Sequence, residues 1–134
     1  MQLNGIHHIA IICSDYPRSK QFYVDILGLT VIREVYRQPR NSYKLDLAIG
    51  DTYVIELFSF PEPPRRVTGP EACGLRHLAF RVSDVAATKL ELEANGVTVE
   101  AIRIDECTGA KFTFFRDPDG LPLEIYQQPG PSPD

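Results

Sequence analysis

The stretch Arg76-His77-Leu78-Ala79-Phe80-Arg81-Val82 decides the reading of this chain, because it restates His8-Ile9-Ala10-Ile11-Ile12. Both contain a histidine, then an apolar residue, an alanine and another apolar residue. The likeness continues downstream. Ser14-Asp15 follows the first copy and Ser83-Asp84 the second, so an aspartate stands seven residues beyond each histidine. Farther on, each copy has an apolar segment interrupted by a glutamate, Val54-Ile55-Glu56-Leu57 and Pro122-Leu123-Glu124-Ile125. Glu56 lies 48 residues after His8 (from 8 to 56), and Glu124 lies 47 after His77 (from 77 to 124). Matching polar residues at nearly equal separations imply two copies of one structural unit. Each copy supplies one imidazole and one carboxylate.

Around these anchors the first unit reads as β-α-β-β-β. Residues 6–13 form an isoleucine-rich strand. Ser14 or Asp15 caps a helix with Pro17 in its first turn. Phe22, Tyr23, Ile26 and Leu27 follow at helical spacing, and Gly28 stops the helix. Residues 30–36 are β-branched and strand-like, residues 38–42 are a polar loop, and residues 45–49 and 53–58 make a hairpin around Gly50-Asp51. The second unit repeats the course: a strand at 77–82, a helix at 84–95 ended by Gly96, and strands at 97–104, 112–115 and 123–126. Asp117-Pro118-Asp119-Gly120 is a turn signature between the last two.

The resulting expectation is one α+β domain spanning 1–134. Its two βαβββ modules form a cupped eight-stranded mixed sheet with helices on the outer face. Module one covers about 5–60, a stiff proline-rich linker 61–74, module two 75–127, and a disordered tail 128–134.

Strand alternation then places the polar residues. Ile9 and Ile11 flank the face opposite His8, Ile55 and Leu57 flank Glu56, Leu78 and Phe80 flank the face opposite His77, and Leu123 and Ile125 flank Glu124. If the aliphatic faces cover the helices, His8, Glu56, His77 and Glu124 all point to the concave side, each from mid-strand. A carboxylate placed among strand residues is costly unless paired, and two together repel. A divalent cation removes both penalties and leaves positions for water or substrate. Taken singly, a strand histidine or glutamate is more often an ordinary solvated or packed residue; the repetition weighs against that here. His7 and its counterpart Arg76 read as surface or packing residues.

Bulk properties narrow the function classes. The 134 residues carry a net charge of −4, which argues against nucleic acid as a partner. No apolar run approaches a membrane span, and the N-terminus lacks the pattern of a signal peptide. Cys13, Cys73 and Cys107 are odd in number, without C-x-x-C spacing. A reduced, cytoplasmic setting is expected.

These features resemble the vicinal oxygen chelate superfamily of glyoxalase I, bleomycin-resistance proteins and extradiol dioxygenases. The likeness rests on the paired units, the His-Ile-Ala-Ile and His-Leu-Ala-Phe strands, Phe22-Tyr23 with Leu27-Gly28-Leu29, and Asp117-Pro118-Asp119-Gly120 followed by Leu123-Glu124. It spans nearly residues 5–127. The quartet is most similar to glyoxalase I, and that resemblance implies His8, Glu56, His77 and Glu124 as metal ligands. It further implies a divalent ion, zinc or nickel ahead of cobalt or manganese. The implied reaction is proton abstraction next to a carbonyl, with the metal stabilising an enediolate, Glu124 as base and Glu56 returning the proton. A small-molecule substrate follows, such as a thiol adduct of a 2-oxoaldehyde; a homodimer is expected on general grounds. Two departures stand out. Ile12 occupies the place of the arginine that follows glyoxalase I's first histidine, and Leu57-Phe58-Ser59-Phe60 replaces the segment carrying its asparagine, so glutathione recognition does not transfer. Lys111 and Arg37 or Arg40 could supply charge near the mouth, although solvated surface positions are the preferred reading for them. Alternatives are a thiol transferase or dioxygenase of the same superfamily, or a non-catalytic drug-binding module.

Overall fold

In each half of the chain an aspartate turns the end of a strand into the start of a helix. Asp15 has extended backbone angles and accepts a hydrogen bond from the Arg18 amide at 3.2 Å. Asp84 does the same for Ala87 at 3.0 Å. Each side chain satisfies an amide that the helix leaves without a partner.

A computed structural model describes residues 1–128, which fall into two units divided between Arg65 and Arg66. In the first, strand β1 (Ile9–Cys13) leads into α1 (Tyr16–Gln21), which continues as a π-helical turn over Phe22–Ile26. Gly28, at φ 76°, takes the left-handed conformation that ends it. Then come β2 (Thr30–Arg37), a 3-10 turn at Gln38–Arg40, β3 (Ser42–Ile49) and β4 (Thr52–Ser59). The sheet order is β1-β4-β3-β2, with β1 parallel to β4 and the other pairs antiparallel. The second unit has β5 (Leu78–Val82), α2 (Val85–Ala94), β6 (Arg103–Ile104), β7 (Lys111–Arg116) and β8 (Pro122–Gln127), in the order β5-β8-β7-β6.

Both modules therefore have the expected βαβββ course, and the fold is α+β. The strands hydrogen-bond as two four-stranded sheets rather than one ladder of eight. Alternation holds as read: Ile11 is 6% exposed while its neighbour Ile12 is 55% exposed. Leu45, Leu47, Ile55 and Leu57 form the buried side of the first sheet, and Phe115, Leu123 and Ile125 that of the second.

Three boundaries differ from expectation. His8 and His77 each stand one residue before their strand rather than within it, whereas Glu56 and Glu124 are mid-strand. The strand expected at 97–104 is reduced to Arg103–Ile104. The Thr113 hydroxyl lies within hydrogen-bond distance of the carbonyls of Glu100 (2.8 Å) and Ala101 (3.1 Å), and the Glu100 amide donates to the Phe114 carbonyl at 2.9 Å, so the segment is tied to β7 without a continuous ladder. The proline-rich segment is not wholly a spacer. Arg66 Nη2 donates to the carbonyls of Leu75 and Arg76, and Thr68 Oγ1 to that of Gly120 at 3.0 Å, so its second part is tied to the second unit. The tail expected at 128–134 lies, from 129 onward, outside the described residues. Among the described residues no helix is long and apolar enough to cross a membrane.

Candidate functional site

The parallel pairing of first and last strands brings histidine and glutamate together in each unit. Ala10 lies opposite Glu56 across β1 and β4, and Ala79 opposite Glu124 across β5 and β8. Each histidine is two residues before its alanine and therefore shares the glutamate's face. His8 Nε2 is 3.6 Å from Glu56 Oε2, and His77 Nε2 is 3.0 Å from Glu124 Oε2. These are diagonal contacts across neighbouring strands, within reach of long side chains. The alanine directly opposite the carboxylate keeps that diagonal open, which accounts for the repeated His-x-Ala pattern.

In the first unit Glu56 belongs to a wider polar cluster. Its cross-strand partner on β3 is Asp46, only 1% exposed. Asp46 accepts from Lys44 Nζ (2.8 Å), Arg33 Nε (3.0 Å) and the Tyr53 hydroxyl (2.9 Å). The Tyr53 oxygen is also 2.9 Å from Glu56 Oε2, and Lys44 Nζ is 3.5 Å from the same oxygen. Two bulges produce this convergence. Ile32 on β2 and Val54 on β4 are extra residues in their ladders, both beside Leu47. A bulge reverses the alternation beyond it. Arg33 and Tyr53 are thereby turned onto the face of Asp46 and Glu56, where uninterrupted strands would have pointed them away.

The electrostatics follow from this crowding. Burial alone would raise the Asp46 carboxyl, but the bonds from Lys44, Tyr53 and Arg33 outweigh it and hold Asp46 below its ordinary range. Burial, together with hydrogen bonds to Asp46 and Glu56, pushes the Tyr53 phenol up, so it remains protonated.

The second unit surrounds its glutamate differently. Phe114 lies opposite Glu124, where the first unit has Asp46, and Phe112 takes the place of Lys44. The His77 and Phe114 rings meet edge to face, with centroids 5.1 Å apart. Arg103 lies over both phenylalanines at 5.1 and 5.3 Å. Among the described residues His77 is the one cation-forming group within ion-pair distance of Glu124.

Of the residues singled out from sequence, His8 pairs with Glu56 and His77 with Glu124. His7 is exposed, as read, but it also touches the site: its Nδ1 is 2.8 Å from His8 Nδ1, and both rings pack against Tyr53. Cys13 is buried with Sγ 3.2 Å from the Phe58 carbonyl, and Cys73 and Cys107 are exposed. Sequence reasoning missed Lys44, Asp46, Arg33 and Tyr53. The Lys44-Leu45-Asp46-Leu47 alternation could have revealed the first two.

An imidazole nitrogen and a carboxylate oxygen, side by side on one face, fit a divalent cation of zinc or nickel type. Each module supplies two such donors. Among the described residues no group of three or more His, Cys, Asp or Glu side chains is placed to hold a metal ion.

The chain belongs to the Glyoxalase/Bleomycin resistance protein/Dioxygenase superfamily, whose sequence profile matches residues 5–125. It is 61% identical over 128 residues to the uncharacterized protein YwkD of Bacillus subtilis, covering 96% of this chain and 100% of that one. It is 32% identical over 126 residues to the glutathione transferase FosA of Serratia marcescens, covering 92% of this chain and 81% of the relative. The crystal structure of a glyoxalase family protein from Enterococcus faecalis superposes with a TM-score of 0.87 at 46% identity, over 95% of this chain and 100% of that one.

Proposed function

We propose that this superfamily member is a metal-dependent, glyoxalase I-like lyase or isomerase that removes a proton next to a carbonyl. His8, Glu56, His77 and Glu124 together hold one divalent cation, and the two modules come from one chain or from two copies in a homodimer. The observation that carries this reading is the repeated His–Glu pair, 3.6 Å apart in one unit and 3.0 Å in the other, at the same place in two sheets of the same topology. A bound divalent ion, zinc or nickel ahead of cobalt or manganese, would supply Lewis-acid stabilisation of the charge that develops on the carbonyl oxygen.

The residues themselves divide the proton work. Glu124 has His77 at 3.0 Å and an aromatic wall beside it, with no lysine or tyrosine hydroxyl bonded to it among the described residues. It is assigned the base, because fewer donors hold its carboxylate in place. Glu56 accepts from the Tyr53 hydroxyl and faces Lys44, a neighbourhood of proton donors that suits it to returning a proton. His77 holds Glu124 in place from the neighbouring strand.

The test is solvent deuterium exchange into 2-oxoaldehydes, alone and as their glutathione thiohemiacetals, by the zinc- or nickel-loaded protein. Glu124→Gln should abolish exchange while leaving the unfolding midpoint close to that of wild type. Undiminished exchange in that variant overturns the assignment of the base.

A further inference from the structure

Along β4 the next side chain on the face of Glu56 is Phe58, about 7 Å farther on. Arg37, the last residue of β2, places its guanidinium carbon 4.9 Å from the Phe58 ring centroid and 6.0 Å from that of Phe60. Arg40, presented by the turn Gln38–Arg40, lies 5.5 Å from the Phe60 centroid. The two rings stack at 5.7 Å with an interplanar angle of 16°. Arg37 Nη2 donates to Ser42 Oγ at 3.1 Å, and its Nε is buried without an acceptor. Among the described residues no carboxylate lies within ion-pair distance of either arginine. The unit's other strand-borne cations are neutralised, Arg33 and Lys44 by Asp46.

The solvated-surface reading of these arginines does not describe Arg37, which is half-buried. An arginine is always charged, and two of them stacked over one aromatic pair without a counter-ion are arranged for an anion to complete. Cation–π contact holds each guanidinium against a ring, which limits the freedom lost when an anion binds. Ile12, opposite Phe58 in the β1–β4 register and 55% exposed, provides an apolar surface beside them.

We propose that Arg37 and Arg40 form an oxyanion subsite that takes a carboxylate or phosphate at the far end of the substrate, whose middle lies over Phe58 and Ile12. The placement of the reacting carbonyl at Glu56 rests on the function proposed above; the anion subsite itself does not. The substrate class is then a small oxo compound with a terminal oxyanion.

Calorimetric titration of the metal-free protein with inorganic phosphate, and separately with succinate, tests this and distinguishes the two anion sources. Saturable binding of either probe is expected, weakened about tenfold or more in Arg40→Gln and in Arg37→Lys, which keeps the charge but loses the fork. Absence of saturable binding by both probes, or equal affinity in wild type and both variants, overturns the subsite. A zinc titration of Arg40→Gln separates the two proposals, since it should match wild type. Phosphate or succinate bound through these arginines by a protein that takes no zinc would remove the metal reading and leave the subsite standing.

Discussion

Glu56 and Glu124 occupy the same place in two copies of one module, yet their surroundings are opposite in character. The first faces a lysine, a tyrosine hydroxyl and a buried aspartate; the second faces phenylalanine rings. The pair formed by first and last strands is common to both, whereas the third strand differs: Lys44 and Asp46 against Phe112 and Phe114. Duplication supplied two equivalent carboxylates, and the neighbouring strand gave one of them polar donors and the other an aromatic wall. Acid–base chemistry on two faces of a substrate uses such a difference between otherwise equivalent groups.

The largest effect should come from removing the proposed base. Glu124→Gln should lower proton exchange by about three orders of magnitude, within the range for a positioned general base. Glu56→Gln should cost less in the exchange step and more in overall turnover. Equal losses in both variants would break the asymmetry.

Stability should respond next. Phe114→Asp gives the second unit the first unit's carboxylate without its lysine, placing two acids across one rung. A destabilisation of about 3 kcal/mol is expected by urea unfolding, from lost packing and like-charge repulsion. Adding Phe112→Lys should recover part of it. In the first unit, Asp46→Asn should cost about 2 kcal/mol, because Lys44 and Arg33 lose a charged partner but can turn toward water.

That same variant carries a pH signature. The Asp46 carboxyl is depressed in the folded protein. Its contribution is therefore present above the unfolded value, about pH 4, and is lost as pH falls through the folded value. Wild type should lose stability in acid more steeply than Asp46→Asn. Parallel acid limbs would show that Asp46 does not hold the cluster.

The smallest effect is that of Tyr53→Phe, about 1 kcal/mol for one hydroxyl bond. Urea unfolding of the variant reads it, and an unchanged midpoint would show that the hydroxyl does not hold the cluster.

Much of this architecture was legible in the sequence because it follows from alternation and repetition. The echo of His8-Ile9-Ala10 in His77-Leu78-Ala79 locates both first strands, and Ile55-Glu56-Leu57 with Leu123-Glu124-Ile125 locates both last ones. Parallel pairing of these strands suffices to bring each histidine to its glutamate. The polar cluster of the first unit was not legible, since it depends on bulges at Ile32 and Val54 that carry no glycine or other local marker. Without them Arg33 and Tyr53 fall on the wrong face. The shortened β6 was equally hidden: Val97, Val99 and Ile102 have strand propensity, but the segment is tied to β7 by one backbone bond, Glu100 to Phe114, and by the hydroxyl of Thr113, a residue far along the chain.

The most direct test is a zinc titration of wild type, His8→Ala and His77→Ala, followed by calorimetry. Use of the two His–Glu pairs together predicts one ion for each set of two modules and loss of nearly all binding in either variant. Two ions per chain in wild type, with one surviving in each single variant, would show that the halves act independently and would contradict it.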